Sequence, residues 1–210
     1  MKQERLESLL MTIDRLRATT VRQLSHIHDL GSYRNACRIV NQLAPYTHQF
    51  REQEKVIYLN KEGRALIGST KEVKRTPLIQ HMLLTNEAFI HFQCPLDWRT
   101  ECVLEAEEER KGLVFSLGAT ALKPKMKQVI ADAIFTRNGY VHIVEIDNTR
   151  HMQDNFKKIN AYREMWKAIH TKYQLQPILY FFTTTEDRKR KLAAAGKGTR
   201  MEVKTFEELK

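Results

Sequence analysis

Residues 128–166 read Gln128-Val-Ile-Ala-Asp132-Ala-Ile-Phe135, then Arg137-Asn-Gly-Tyr140, then Val141-His-Ile-Val-Glu145-Ile-Asp147. After a short connection comes Asp154-Asn-Phe-Lys157-Lys158-Ile-Asn-Ala-Tyr162-Arg-Glu-Met-Trp166. Apolar residues flank both acids of the first two runs, and Asn138-Gly139 is a strong signal for a tight hairpin between them. A hairpin there holds Asp132 and Glu145 on neighbouring strands, close enough to share one divalent cation. Asp147 lies on the Glu145 side of its strand, because residues two apart share a face. The basic helix that follows carries Lys158 and Tyr162 one turn apart, on one face.

The rest of the chain sets this segment in context. At 210 residues it suits one large domain or two small ones, and 42% hydrophobic with 29% charged residues predicts a folded protein. No apolar run approaches the ~20 residues that cross a bilayer. The charged start, Met1-Lys-Gln-Glu-Arg5, leads into a helix without a signal-peptide core, so a cytoplasmic protein is expected. Cys37, Cys94 and Cys102 lack metal-type spacing and are expected as reduced, buried thiols. The net charge of +10 is uneven: residues 1–75 carry +6, 76–115 carry −4 and 116–210 carry +8. Two basic modules flanking an acidic middle suit a polyanionic partner, with nucleic acid as the default.

Residues 4–18 fit an amphipathic helix through Leu6, Leu9, Leu10, Ile13 and Leu16. Thr19 or Thr20 can cap a second helix over Val21–His28, and Ser32 a third over Tyr33–Leu43, stopped by Pro45. A polar strand around His48 to Arg51, a tighter strand Lys55–Leu59 and a Gly63-containing segment follow. This order resembles winged helix-turn-helix DNA-binding domains over residues 1–68. The third helix sets Ala36, Ile39, Val40 and Leu43 against Tyr33, Arg34, Asn35, Arg38, Asn41 and Gln42 on its polar side. Arginine, asparagine and glutamine can make paired hydrogen bonds to base edges in the major groove. Ser32 and Tyr33 sit at the helix start, where backbone N–H groups favour phosphate, and Arg51 and Lys55 are candidate backbone contacts from the wing. A small helical module used for protein contact is the alternative.

Lys71 to Pro77 is polar and basic and reads as a linker, which gives a domain over 1–70 and another over 78–210. In the second, a helix over Leu78–Phe92, a strand over Trp98–Leu104, the Asp132 and Glu145 strands, the Lys158 helix and an apolar strand over Pro177–Phe182 make an α-β-β-β-α-β order. A helix over Asp187–Ala195 and a strand over Met201–Phe206 close the chain. The order resembles the core of the PD-(D/E)xK nuclease fold, so the expected class is α/β (α+β). That resemblance implies metal-binding roles for Asp132 and Glu145, a first-helix acid in Glu87, and a site helix carrying Tyr162. It also expects a lysine two residues after Glu145, where Asp147 stands; Lys158 is then a candidate migrated lysine. The alternative pairs Asp147 with Lys157, Lys158 or Arg150 in a salt-bridged scaffold.

A winged helix followed by Ala131-Asp132-Ala133, Glu145-Ile146-Asp147-Asn148-Thr149 and Lys158-Ile159-Asn160-Ala161-Tyr162 resembles the replication-relaxation family of bacterial plasmids, phages and conjugative elements. The resemblance implies a role in the replication of such elements, its relaxation or its control. The expectation is a double-stranded DNA-binding protein with no cofactor and a nuclease-like domain that does not cleave. The alternative is an endonuclease using Mg²⁺ or Mn²⁺ on Asp132, Glu145 and Lys158. A third reading is an adaptor recruiting a partner through the acidic Glu101 to Glu109. A homodimer is expected, with replication or conjugation proteins as further partners and no membrane. Asp187 to Lys191 reads as a solvated helix start or a phosphate contact, and Trp98 and Trp166 as core.

Overall fold

A computed structural model describes residues 2–107, 126–148 and 151–209. The fold is mixed α+β: among the described residues, seven α-helices accompany a three-stranded and a five-stranded sheet. The chain divides into two compact units, Met1–Pro95 and Leu96–Glu208.

In the first unit, α1 (Gln3–Leu16) buries the leucine and isoleucine stripe that its spacing foretells. A three-residue strand follows, β1 (Ala18–Thr20), where only a cap was expected. Thr20 serves both purposes. It ends the strand, and its side chain accepts from Gln23 N while the Gln23 side chain accepts from Thr20 N at 3.2 Å, closing a capping box on α2 (Val21–His28). Helix α3 (Tyr33–Gln42) starts at Ser32, whose hydroxyl accepts from Asn35 N, and buries Ala36, Ile39 and Val40. Strands β2 (Thr47–Arg51) and β3 (Lys55–Leu59) form an antiparallel hairpin, and β1 adds to β3 in the order β1-β3-β2. On α4 (Lys61–Ile67), Gly63 is required: a Cβ there would meet the Tyr46 carbonyl oxygen at 2.1 Å.

Helix α5 (Leu78–His91) packs with this unit, so the division falls after Pro95 and not in the polar stretch before Leu78. Its Ile79 and Leu83 cluster with Ala18, Val56 and Tyr58, and Asn86 Nδ2 donates to Ala18 O at 2.7 Å. Those contacts satisfy the edge of β1, a strand hidden from a sequence reading. The thiols of Cys37, Cys94 and Cys102 are free, as expected, but half-buried and not buried. Cys37 shows why: it lies on the flank of α3, between buried Ala36 and exposed Arg38.

The second unit is a five-stranded sheet in the order β4-β5-β6-β7-β8. Strands β4 (Arg99–Glu107), β5 (Met126–Arg137) and β6 (Tyr140–Asp147) run antiparallel; β7 (Gln176–Thr183) and β8 (Met201–Thr205) join parallel. Asn138 (φ 52°) and Gly139 (φ 79°) make the β5–β6 turn with both residues left-handed, as the asparagine–glycine pair requires. Helix α6 (Met152–Tyr173) carries the chain from β6 to β7, and α7 (Glu186–Ala195) from β7 to β8. One sheet face, with Val141, Ile143, Leu179 and Phe181, packs on Ile159, Tyr162, Met165 and Ile169 of α6. The other face stacks Trp98, Phe135, His142 and Tyr180, with successive ring centroids 5.6, 4.4 and 5.6 Å apart.

Ala131 and Ile134 both join the α6-side core although three residues apart, and Asp132 meets Lys158 on that side too, so strand alternation breaks between Ala131 and Asp132. The break lies across from Glu101, whose φ of 54° departs from extended geometry. The register is unchanged on either side of the break, so it re-aims one side chain only, and that side chain is Asp132.

Gly63→Ala is expected to cost about 1–3 kcal/mol, the usual range for overpacking a tight site. Urea denaturation reads it as a lowered midpoint; an unchanged midpoint would contradict the close approach to Tyr46.

Candidate functional site

Two groups of side chains gather residues with chemical potential, one in each unit. In the first, α3 turns its apolar side into the core and leaves Ser32, Tyr33, Arg34, Arg38, Asn41 and Gln42 exposed, with Asn35 half-buried. Ser32, Arg34, Asn35 and Arg38 line one open concavity. Asn35 is held at both ends: its Nδ2 donates to Leu30 O at 2.8 Å and its Oδ1 accepts from Arg38 Nη2 at 2.9 Å. Lys55, from the first position of β3, donates to Asn41 Oδ1 at 2.9 Å and Gln49 Oε1 at 3.1 Å, tying the hairpin to the helix. Arg51 is exposed at the hairpin end.

In the second unit the register Ala133↔Val144 makes Asp132 and Glu145 the next positions along β5 and β6. Both acids meet α6. The Lys158 ammonium donates to Glu145 Oε2 and lies 4.0 Å from Asp132 Oδ1, and the Tyr162 hydroxyl donates to Glu145 Oε1. Asp132 Oδ2 accepts from Ile146 N at 2.7 Å. Glu145 is 1% exposed and Tyr162 fully buried. Burial, with the Asp132 charge beside it, pushes the Glu145 carboxyl up to about 8, against the pull of Lys158 and Tyr162.

The donor set tests whether Mg²⁺ or Mn²⁺ fits here. Such ions ask for several oxygen ligands in near-octahedral array. Both oxygens of Glu145 already accept from α6, one of Asp132 accepts from the backbone, and the Lys158 ammonium sits where a cation would. Among the described residues, no group of three or more histidines, cysteines or carboxylates is arranged to hold a metal. As arranged, the residues do not fit a divalent ion; Lys158 would have to leave first.

Asp147 sits apart from this pair, with partners other than those expected. It pairs with neither Lys157 nor Lys158, and Arg150 lies outside the described residues, as does Thr149. Instead Arg188 on α7 grips it with two N–H groups of one guanidinium edge, Nε to Oδ2 at 2.7 Å and Nη2 to Oδ1 at 2.5 Å. Thr183 Oγ1 and Asn155 Nδ2 each donate at 2.7 Å. Burial alone would raise the Asp147 carboxyl, but Arg188, Thr183 and Asn155 hold it below its ordinary value. The parallel β6–β7 pairing accounts for these partners. It sets Thr183 beside Asp147, and α7 then starts directly above that strand end.

Glu87, expected as a helix acid of the same cluster, is taken up within the first unit by Arg22 (Nη2 to Oε1, 2.6 Å) and Gln23 (Nε2 to Oε1, 2.5 Å). The charge run on α7 is compensated: Lys191 pairs with Asp187 on the same helix at 2.7 Å, and Lys189 with Glu208 near the end of the chain at 2.5 Å. Of the acidic Glu101–Glu109 stretch, Glu101, Glu105 and Glu107 are exposed on β4, while Glu108 and Glu109 lie outside the described residues. Trp98 is buried and Trp166 packs against the α6-side core, as expected. Among the described residues, no helix is long and apolar enough to cross a membrane.

A family model described as replication-relaxation matches residues 10–177. No curated protein matches the chain. Among solved structures it is similar to protein VC1899 from Vibrio cholerae, at 12% identity and a TM-score of 0.45, over 100% of this chain and 55% of that one. The chain spans about half the length of that structure, and a likeness this distant says nothing further about it.

A carboxyl whose value is raised in the folded state lends its stability below its unfolded value and loses it as pH rises through the folded one. For Glu145 that window runs from its ordinary 4.5 to about 8. Glu145→Gln keeps an acceptor for Tyr162, so its melting temperature is expected to gain on the parent's as pH rises through that window. Parallel pH profiles would contradict the buried carboxyl's role.

Proposed function

The chain belongs to the replication-relaxation family, and on that premise we propose a double-stranded DNA-binding protein of a bacterial mobile element. Its role lies in replication of the element, its relaxation or its control. The observation that carries the proposal is the division of α3: an apolar side locked into the core, and Tyr33, Arg34, Arg38, Asn41 and Gln42 turned outward. A helix-strand-helix-helix-hairpin order supports treating this unit as a winged helix-turn-helix, with α3 as the recognition helix. In that arrangement Arg51 reaches flanking phosphate from the wing, Lys55 anchors the wing to the helix, and Ser32 with Tyr33 meets backbone at the helix start. The net charge of +10 adds the sequence-independent attraction that duplex binding requires.

For the second unit we propose a nuclease-like scaffold without hydrolytic activity and without a resident metal. The β-β-β-α-β order from β4 to β7 supports the resemblance to the PD-(D/E)xK fold, less its first helix, since α5 packs with the first unit. The closure of the Asp132–Glu145 pair by Lys158 supports the loss of chemistry. The proposed protein is cytoplasmic and dimeric, reads a two-fold duplex site, and works with replication or conjugation proteins.

One observation favours a second reading, a metal-dependent endonuclease: Lys158 reaches both acids from α6, as a migrated lysine should. Plasmid nicking separates the two. No nicking is expected with Mg²⁺ or Mn²⁺; metal-dependent nicking that Asp132→Ala abolishes would replace the scaffold reading. For the binding function, Arg34→Ala and Arg38→Ala are each expected to weaken a cognate duplex by about 1–3 kcal/mol in fluorescence anisotropy at fixed salt. If both variants bind as the parent does, α3 is not the recognition helix.

A further inference from the structure

The hydrogen bonds on the α3 surface narrow which base that helix can read. Asn35 spends both ends of its amide, one on Leu30 O at 2.8 Å and the other on Arg38 at 2.9 Å. A backbone carbonyl can only accept, so the first bond fixes the direction of the amide and aims its oxygen at Arg38. Asn41 Oδ1 and Gln49 Oε1 are likewise turned to a cation of the protein, Lys55. What Arg34 and Arg38 offer outward is donors, from guanidinium groups that share one open concavity with Ser32 and Asn35. The two arginines stand four residues apart, about 6 Å along a helix axis. That rise matches about two base-pair steps of ~3.4 Å.

We infer that α3 selects guanine, with Arg38 as the guanine-contacting residue and Asn35 as the residue that positions it; the inference rests on the DNA-binding reading above. In the major groove guanine shows two acceptors, N7 and O6, which suit a guanidinium edge. Adenine shows a donor beside an acceptor and asks for an amide that presents both. Asn35, which lines the same concavity as the two arginines, would have to give up two hydrogen bonds to perform that task. Arg38 gives one N–H to Asn35 and keeps four. Its side chain is thereby held at reduced rotamer cost before any duplex arrives. Arg34 supplies a second guanine contact within two steps of the first.

The test begins with duplexes selected from a random pool by the whole chain. Affinities at one salt concentration then compare the selected duplex, the same duplex with 7-deazaguanine (which lacks only N7) at each guanine, and an unselected competitor. The parent is expected to lose about tenfold on one or two deaza substitutions, the scale of a good base contact. Arg38→Ala is expected to be indifferent to one of them. Asn35→Leu is expected to lose about tenfold in the ratio of selected to competitor affinity, while Asn35→Asp, which keeps an acceptor beside Arg38, retains the ratio. Circular dichroism of each variant separates these effects from unfolding, which moves both affinities together. A parent that binds its selected duplex yet ignores every deaza substitution overturns the guanine inference alone, as does Asn35→Leu with the parent's base preference. A chain that binds no duplex at all overturns the DNA-binding reading beneath it.

Discussion

The second unit is arranged around the buried Glu145 carboxyl, which takes hydrogen bonds from Lys158 and Tyr162 of α6 while the Lys158 ammonium lies 4.0 Å from Asp132. The constraint runs through the whole second unit. The Asn138-Gly139 turn sets a register that makes Asp132 and Glu145 neighbours, and the break in alternation on β5 aims Asp132 to the α6 side. Helix α6 answers with Lys158 and Tyr162, one turn apart, on the same face that buries Ile159 and Met165. Desolvation makes the unpaired alternative costly. The ion pair and the apolar contacts therefore fix α6 at one place over the sheet.

The same need is met a second time at the end of β6. Asp147 stands where the nuclease-like pattern has a lysine, and a third free carboxylate there would add repulsion to the first two. Arg188, Thr183 and Asn155 remove that charge from the cluster by holding it elsewhere. The sheet thus carries two acid sites, each closed by a cation from a different helix. A surface organised this way favours a scaffold, which is why the proposed activity is assigned to the first unit.

Much of this could be read from residue order alone. The α1 stripe, the sidedness of α3, the hairpin turn and the shared face of Lys158 and Tyr162 are local or periodic signals, and periodicity survives without knowledge of the fold. Three features could not be read. β1 is three residues long and its threonines look like caps, since Thr20 is one. The apolar residues of α5 fit either core, and only the Asn86 bond to Ala18 and the contacts of Ile79 and Leu83 decide between them. Arg188 lies 41 residues from Asp147, and their meeting depends on a parallel strand pairing and the start of α7 above it. Asn35 shows a subtler limit: its type suggests base reading, and its position has already committed both ends of its amide.

The proposed division of labour, with α3 meeting DNA and a sealed acid pair in the second unit, is most directly tested by amide NMR of the labelled chain titrated with a short duplex. The account predicts that the perturbed amides concentrate in residues 32–42 and in the β2–β3 hairpin, while those of Asp132, Glu145 and Lys158 keep their positions with and without Mg²⁺. Perturbations centred on Asp132, Glu145 and Lys158, with residues 32–42 unmoved, would contradict it.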